Sequence, residues 1–266
     1  MTTAPYFSVI VPTHKRAGLL RRALVSIQSQ QVNAAFEVIV VSDVIDSDTD
    51  AICAELLKSC DVYLRRNGPA GPSRSRNHAL SLARGRYVLF LDDDDAWHSG
   101  FLQQLHTAAQ VQQGRLVYAN CSVITERRLP GGPEQLSEIG LNMAGCLTDE
   151  VYVKNQVHMS CFAYPRMLLD GLEFDTTMRA YEDWEFMLAT FDREMPEHLP
   201  ILGSRIYEVH DDTTDRRGSS AMATNSNAVL DYLYVYRRHP APRVELIRLR
   251  EELLKLVGLP IPSDMV

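Results

Sequence analysis

Short apolar runs alternate with amphipathic stretches through the first third of the chain. "FSVIVPT", "FEVIVVSD", "DVYLRRN" and "RYVLFLD" read as strands, the longer ones apolar on both faces. Between them, "AGLLRRALVSIQSQ" sets Leu19, Leu20, Ala23, Leu24 and Ile27 at helical spacing. "DTDAICAELLKSC" and "GPSRSRNHALSLARG" give two further helices, the last closed by Gly85. Buried strands alternating with helices predict an α/β fold with a Rossmann-like, mostly parallel sheet covered on both sides.

Past residue 115 the pattern loosens. "GRLVYANCSVIT" reads as a strand and "RRLPGGPEQLSEIGLNMAG" as a loop-rich, mobile stretch. "VHMSCFAYPRMLLDGLEFD" combines a strand with a short helix, "YEDWEFMLATFD" is a helix opened by acids, and "GSRIYEVH" is a strand. The polar "DDTTDRRGSS" reads as a flexible connection to a tail of two helices broken at "HPAP". In the second, Val244, Ile247, Leu253, Leu254 and Val257 form an apolar face, either packing surface or a homodimer contact.

Composition narrows the class. With 266 residues, 45% hydrophobic and 23% charged, the chain suits a soluble globular protein with a sizeable core. A net charge of −7 argues against a nucleic-acid partner, which calls for a basic surface. The N-terminus lacks signal-peptide features and no apolar run suits a transmembrane segment, so the expected location is cytoplasmic. Five cysteines without CxxC spacing read as reduced thiols.

The polar endings of the strands carry the chemistry. In parallel sheets, ligands sit at the carboxyl ends of the strands. Here those ends are Thr13-His14-Lys15-Arg16, Ser42-Asp43, Arg65-Arg66-Asn67 and the four-carboxylate run Asp92 to Asp95. Strand alternation puts Asp92 and Asp94 on one face and Asp93 and Asp95 on the other. A carboxylate pair at a strand end suits Mg²⁺ or Mn²⁺ with substrate phosphate oxygens. The competing reading is a solvated acidic turn, with Asp95 capping a helix near Trp97. Arg16, Arg74 and Arg76 lie at or just after strand ends, where a diphosphate would find them.

Four segments in order, "FSVIVPTHKRAGLLRRALVSIQSQ", "FEVIVVSD", "NGPAGPSRSRNHALSLARGRYVLFLDDDDAW" and "GLEFDTTMRAYEDWEFML", resemble a family 2 glycosyltransferase of the GT-A fold. The resemblance implies a metal-dependent inverting enzyme that moves a sugar from a nucleoside-diphosphate donor, UDP by default, to an acceptor hydroxyl. The acceptor would be a carbohydrate or glycoconjugate, lipid-linked ones included, in polysaccharide or glycoconjugate synthesis. It further implies a domain over 1–218, with a nucleotide-binding half to residue 115 and an acceptor half after it, and a helical extension over 219–266.

Carried onto this sequence, Pro12 and Thr13 would wall the base and Asp43 would accept from its ring N–H. Asp92 and Asp93 would meet the donor and Asp94 the metal. Asp183 would be the general base, with Glu182 holding the acceptor or nearby backbone. His210 would be a further metal ligand, with His158 as its rival, and Arg216 and Arg217 lie in a segment that could close over the diphosphate. After Asp43 the family form gives a second acid and Gly-Ser; this chain has "DVIDSDTD", a departure at the base-contacting loop. Glu182 and Asp183 also suit a plain helix N-terminus. A sugar-nucleotide nucleotidyltransferase would share the sheet and acids but open with a glycine-rich loop, which "VPTHKRAG" lacks. A non-catalytic sugar-nucleotide-binding protein would not need Glu182-Asp183.

Overall fold

The computed structural model describes residues 4–129, 131–210 and 225–256. Its first half is the alternation expected: β1 (Phe7–Thr13), α1 (Ala17–Gln28), β2 (Phe36–Ser42), α2 (Ser47–Leu56), β3 (Val62–Arg65), α3 (Pro72–Leu82) and β4 (Tyr87–Phe90). These strands run parallel in the order β3-β2-β1-β4, with Phe7 opposite both Phe36 and Tyr87. Alternation along β1 sends Val9 and Val11 into a core with Leu20 and Leu24 of α1. Ile10 goes to the opposite core, with Phe90 and Trp184.

The second half extends the sheet in mixed sense. Its elements are β5 (Ala96–Trp97), α4 (Phe101–Thr107), α5 (Ala109–Gln112), β6 (Val117–Leu129), β7 (Gly132–Leu141), β8 (Phe162–Pro165), α6 (Glu182–Phe191) and β9 (Glu197–Val209). β8 joins β4 to β6 in antiparallel fashion, and β9 lies parallel to β6. The stretch read as a mobile loop is instead the end of β6 and all of β7, paired from Cys121–Leu141 to Leu129–Gly132. Every residue of β7 is exposed, so no apolar face marked it as a strand. Likewise β9 starts well before "GSRIYEVH", passing Pro200 with register shifts against β6.

The acid run also differs from expectation. β4 stops at Phe90, and Asp92–Asp95 is a tight turn closed by the Asp95 N–H donating to the Asp92 carbonyl, 3.1 Å. Asp93 and Asp95 are buried while Asp92 and Asp94 are half-open. Asp95 caps no helix; its carboxylate accepts from the Tyr207 N–H of β9 at 3.0 Å.

Two C-terminal helices, α7 (Asn225–Arg238) and α8 (Val244–Leu256), pack against the second half of the chain. Val235, Tyr236 and Leu254 join the core that holds Trp184. Of the expected stripe on α8, Leu254 is buried, Ile247 and Leu253 are half-buried, Val244 is exposed and Val257 lies outside the described residues; Leu246 and Arg250 complete the buried face. Among the described residues, no helix is long and apolar enough to cross a membrane.

At the sheet's other end, Glu37 is buried and accepts from the Ser8 hydroxyl at 2.7 Å and the Arg84 N–H at 2.8 Å. Gly85 sits against this knot: a Cβ there would meet the Ser8 nitrogen at 2.5 Å and the Phe7 carbonyl carbon at 2.7 Å. Backbone cannot yield as a flexible side chain can. Gly85→Ala is therefore expected to cost about 1–3 kcal/mol, the usual range for overpacking. Urea unfolding reads it as a lower midpoint at unchanged slope; an unchanged midpoint would show that β1 is free to shift.

Candidate active site

Three loops at the carboxyl ends of β1, β2 and β4 meet the N-terminus of α6. The acid turn is held by cations from elsewhere in the chain. Thr13 donates its hydroxyl to Asp93 at 2.7 Å, and Arg16 reaches across to Asp93 and to Asp94, the latter at 2.8 Å. Arg128 of β6 approaches Asp94 at 3.5 Å and pairs with Glu126 at 3.0 Å. Arg22 donates to Glu126 and to the Asp94 carbonyl, with its guanidinium over the Tyr207 ring. Repulsion at Asp93 and Asp94 is thus met by Arg16, at the N-cap of α1, and by Arg128 of β6. Lys15 takes a left-handed φ of 50°, which turns the chain so that Arg16 can face the acids.

Arg76 joins the two acidic motifs. Its buried guanidinium donates to Asp92 at 2.7 Å and to Glu182 at 2.9 Å. Helix α3 aims it there: Gly71, at φ 147°, allows the sharp entry, Pro72 starts the first turn, and Arg76 falls on the buried face with Ser73 and Ala79. Burial opposes the charge on Asp92, but Arg76, then His158 and Arg16, outweigh it and hold the carboxyl at about 2. Glu182 moves the other way: burial raises it, Arg76 opposes, and Asp183 adds to the rise. Asp183 is half-buried at the helix start and accepts from the Trp184 N–H at 2.8 Å.

A metal-capable group sits beside this link. Ligand atoms of Asp92, Asp95 and His158 all lie within 4.8 Å of one another. Two carboxylates and an imidazole suit Mn²⁺ or Mg²⁺-like ions. Burial pushes the Asp95 carboxyl up to about 7, with Asp94 and Asp92 adding to it against His158. On His158 burial opposes the proton, but Asp95, Asp92, Asp183 and Asp94 together raise its pKa. The donor set, two carboxylates and an imidazole within this reach, is of a kind that fits a divalent ion.

Asp94 and His210 fall outside this group. The turn rotates Asp94 toward Arg16 and Arg128, and His210 is exposed at the end of β9, its N–H donating to the Glu126 carbonyl. His158 stands closer because β8 runs antiparallel beside β4 and brings the preceding turn over the acids. Arg74 lies on the exposed side of α3. Arg216 and Arg217 lie outside the described residues.

The β2 end forms a second pocket wall. Asp43 is buried, with His14 on one oxygen at 2.5 Å and the Gly71 N–H at 2.8 Å and Arg66 at 3.5 Å on the other. Pro12 lies within β1 opposite Val41, and Thr13 opposite Ser42. Sequence reasoning gave His14, Arg66 and Arg128 no individual role. The first two were visible among the polar strand endings; Arg128 was hidden in a stretch read as loop.

A model of glycosyl transferase family 2 matches residues 8–168. The chain is 38% identical over 233 residues to the GalNAc(5)-diNAcBac-PP-undecaprenol beta-1,3-glucosyltransferase of Campylobacter jejuni, covering 86% of this chain and 71% of that protein. It is 29% identical over 196 residues to the succinoglycan biosynthesis protein ExoW of Rhizobium meliloti, covering 66% and 60%. The solved structure of S. aureus TarS 1-349 in complex with UDP-GlcNAc superposes with a TM-score of 0.63 at 20% identity. It covers 93% of this chain and 71% of that one, and is a likeness of fold.

Arg76 should be the least replaceable side chain of this site. Arg76→Met leaves Asp92 and Glu182 without their shared cation, and a loss of about 3 kcal/mol is expected, the low end for breaking a buried pair because Asp92 keeps some solvent contact. Arg76→Lys should recover little, since one ammonium cannot reproduce the planar fork. Chemical denaturation of the two variants tests this; a parent-like midpoint for Arg76→Met contradicts it.

Proposed function

The chain belongs to glycosyl transferase family 2, and we propose that it transfers a sugar from a UDP-sugar to a hydroxyl of a glycan or lipid-linked glycan acceptor, with inversion. The observation that carries this reading is Arg76, which ties the acid turn and the Asp183-bearing helix start into one cleft. The uracil edge would meet the His14–Asp43 pair beside Pro12 and Thr13. Arg16 and Arg128 stand where a diphosphate would arrive, and can exchange their carboxylate contacts for phosphate oxygens.

Asp183 takes the proton from the acceptor hydroxyl as its oxygen attacks the anomeric carbon. The bond from that carbon to the β-phosphate oxygen breaks, its electron pair leaves with UDP, and the configuration inverts. Glu182, held by Arg76, keeps Asp183 facing the cleft. Asp92, Asp95 and His158 would hold a divalent cation, Mn²⁺ or Mg²⁺, which when bound neutralises charge developing on the leaving diphosphate. A cytoplasmic location, where UDP-sugars are available, fits this activity. The name of the Campylobacter relative supports a lipid-linked acceptor, and that of ExoW a polysaccharide.

Incubation with UDP-sugars and Mn²⁺ should release UDP slowly to water and faster with a suitable acceptor. Pyrophosphate exchange in place of UDP release would favour a nucleotidyltransferase, and binding without turnover a non-catalytic module. Asp183→Asn should lower transfer by roughly 10²–10⁴-fold, as expected for a lost general base, while leaving UDP affinity near the parent's. Parent-like transfer by Asp183→Asn removes the assigned base. Separately, His158→Ala should weaken Mn²⁺ binding measured by calorimetry; unchanged binding would move the cation elsewhere.

A further inference from the structure

The N-cap residue of α6 does not fix the start of its own helix. Its N-cap position, Tyr181, has no side-chain capping bond and a left-handed backbone, φ 60° and ψ 17°, a conformation that bulky side chains adopt rarely and only under outside constraint. Yet the next two residues are Glu182 and Asp183. Besides Arg76 on Glu182, contacts from the C-terminal helices constrain this turn. The Asp231 carboxylate of α7 accepts, on one oxygen, the backbone N–H groups of Arg179 at 2.8 Å and Ala180 at 3.0 Å. The ring of the next residue, Tyr232, stands edge-on to Tyr181 at 4.8 Å and against Trp184 at 4.9 Å. One side chain of α7 therefore touches the residues on both sides of the acidic pair.

The helices are themselves pinned nearby. Tyr232 and Tyr236 both donate their hydroxyls to the Val153 carbonyl, at 2.9 and 2.7 Å. Buried Arg250 of α8 donates to the carbonyls of Tyr152 and His239, binding α8 and the end of α7 to the same segment. Trp184 donates its indole N–H to the Val151 carbonyl in that segment, at 2.8 Å. Arg76 grips Glu182 from the sheet side, whereas the contacts of α7 fall on the residues that flank Asp183.

We propose that Asp231 and Tyr232 are positioning residues for the Glu182–Asp183 turn, so that the C-terminal helices belong to the active site rather than forming an appendage. This rests on the base role given to Asp183. The expected mark of positioning is a change in turnover without a change in donor binding, because Asp231 and Tyr232 bear on Arg179 to Trp184 and on Val153.

The test compares Asp231→Ala with Asp231→Asn and Tyr232→Leu with Tyr232→Phe, each in the full chain. UDP release from a UDP-sugar with Mn²⁺ gives kcat and KM, calorimetry with UDP gives affinity, and circular dichroism gives folding. Asp231→Ala and Tyr232→Leu should lower kcat by roughly 10- to 100-fold, the range for a misaligned catalytic group, at unchanged KM and UDP affinity. Asp231→Asn keeps a carbonyl oxygen able to accept both N–H groups, and Tyr232→Phe keeps the ring, so each should stay close to the parent. The proposal is overturned by a parent-like kcat in Asp231→Ala and Tyr232→Leu. It is equally overturned if UDP affinity falls in step with kcat, or if the conservative variants fail like the disruptive ones. Should Asp231→Ala not fold, the Tyr232 pair decides alone. Asp183→Asn, assayed alongside, keeps the two readings apart: its activity reports on the base, and that of the Asp231 series on the brace.

Discussion

A guanidinium buried between two carboxylates is stable only while both stay in reach, since losing either leaves charge in a medium that solvates it poorly. At Arg76 that requirement spans the fold. One partner ends the first, parallel half of the chain and the other opens a helix ninety residues later. The distance between the acid turn and the α6 start is thereby fixed by electrostatics, and the packing of α3 on the sheet supplies the lever that holds Arg76 in place.

Charge balance around the acid turn follows the same logic. Four adjacent carboxylates would repel one another, and their cations come from α1, α3 and β6 rather than from neighbours in sequence. Asp92, beside Arg76, is held strongly ionised; Asp95, deeper and without an arginine, is pushed up to about 7. Within this single turn, Asp92 and Asp95 stand by His158, while Asp94 turns to Arg16 and Arg128.

The parallel half of the sheet was legible because its strands are apolar on both faces and its helices keep a clear period. Their polar ends then named one crevice, and Asp43, Asp92, Arg16 and Arg76 do gather there. What was illegible depends on neighbours distant in sequence. β7 has no buried face, so its pairing with β6 left no pattern. The alternation rule sorted the acids as if β4 continued, whereas the chain turns after Leu91, and this decides which carboxylates meet His158. The brace from α7 consists of two backbone N–H groups donating to one carboxylate and one aromatic ring, none with a periodic signature. Membership in the glycosyltransferase family, by contrast, was visible in four short segments because they hold residues that chemistry rather than packing requires.

The central claim is that Asp92 and Glu182 act as one unit through Arg76, and a double-mutant cycle measures it directly. Stabilities of Asp92→Asn, Glu182→Gln and the double variant, by chemical denaturation, should depart from additivity by about 0.5–3 kcal/mol, the range for residues sharing one partner. Repeated in an Arg76→Met background, the coupling should largely disappear. Additive effects with Arg76 present, or the same coupling without it, would contradict the account.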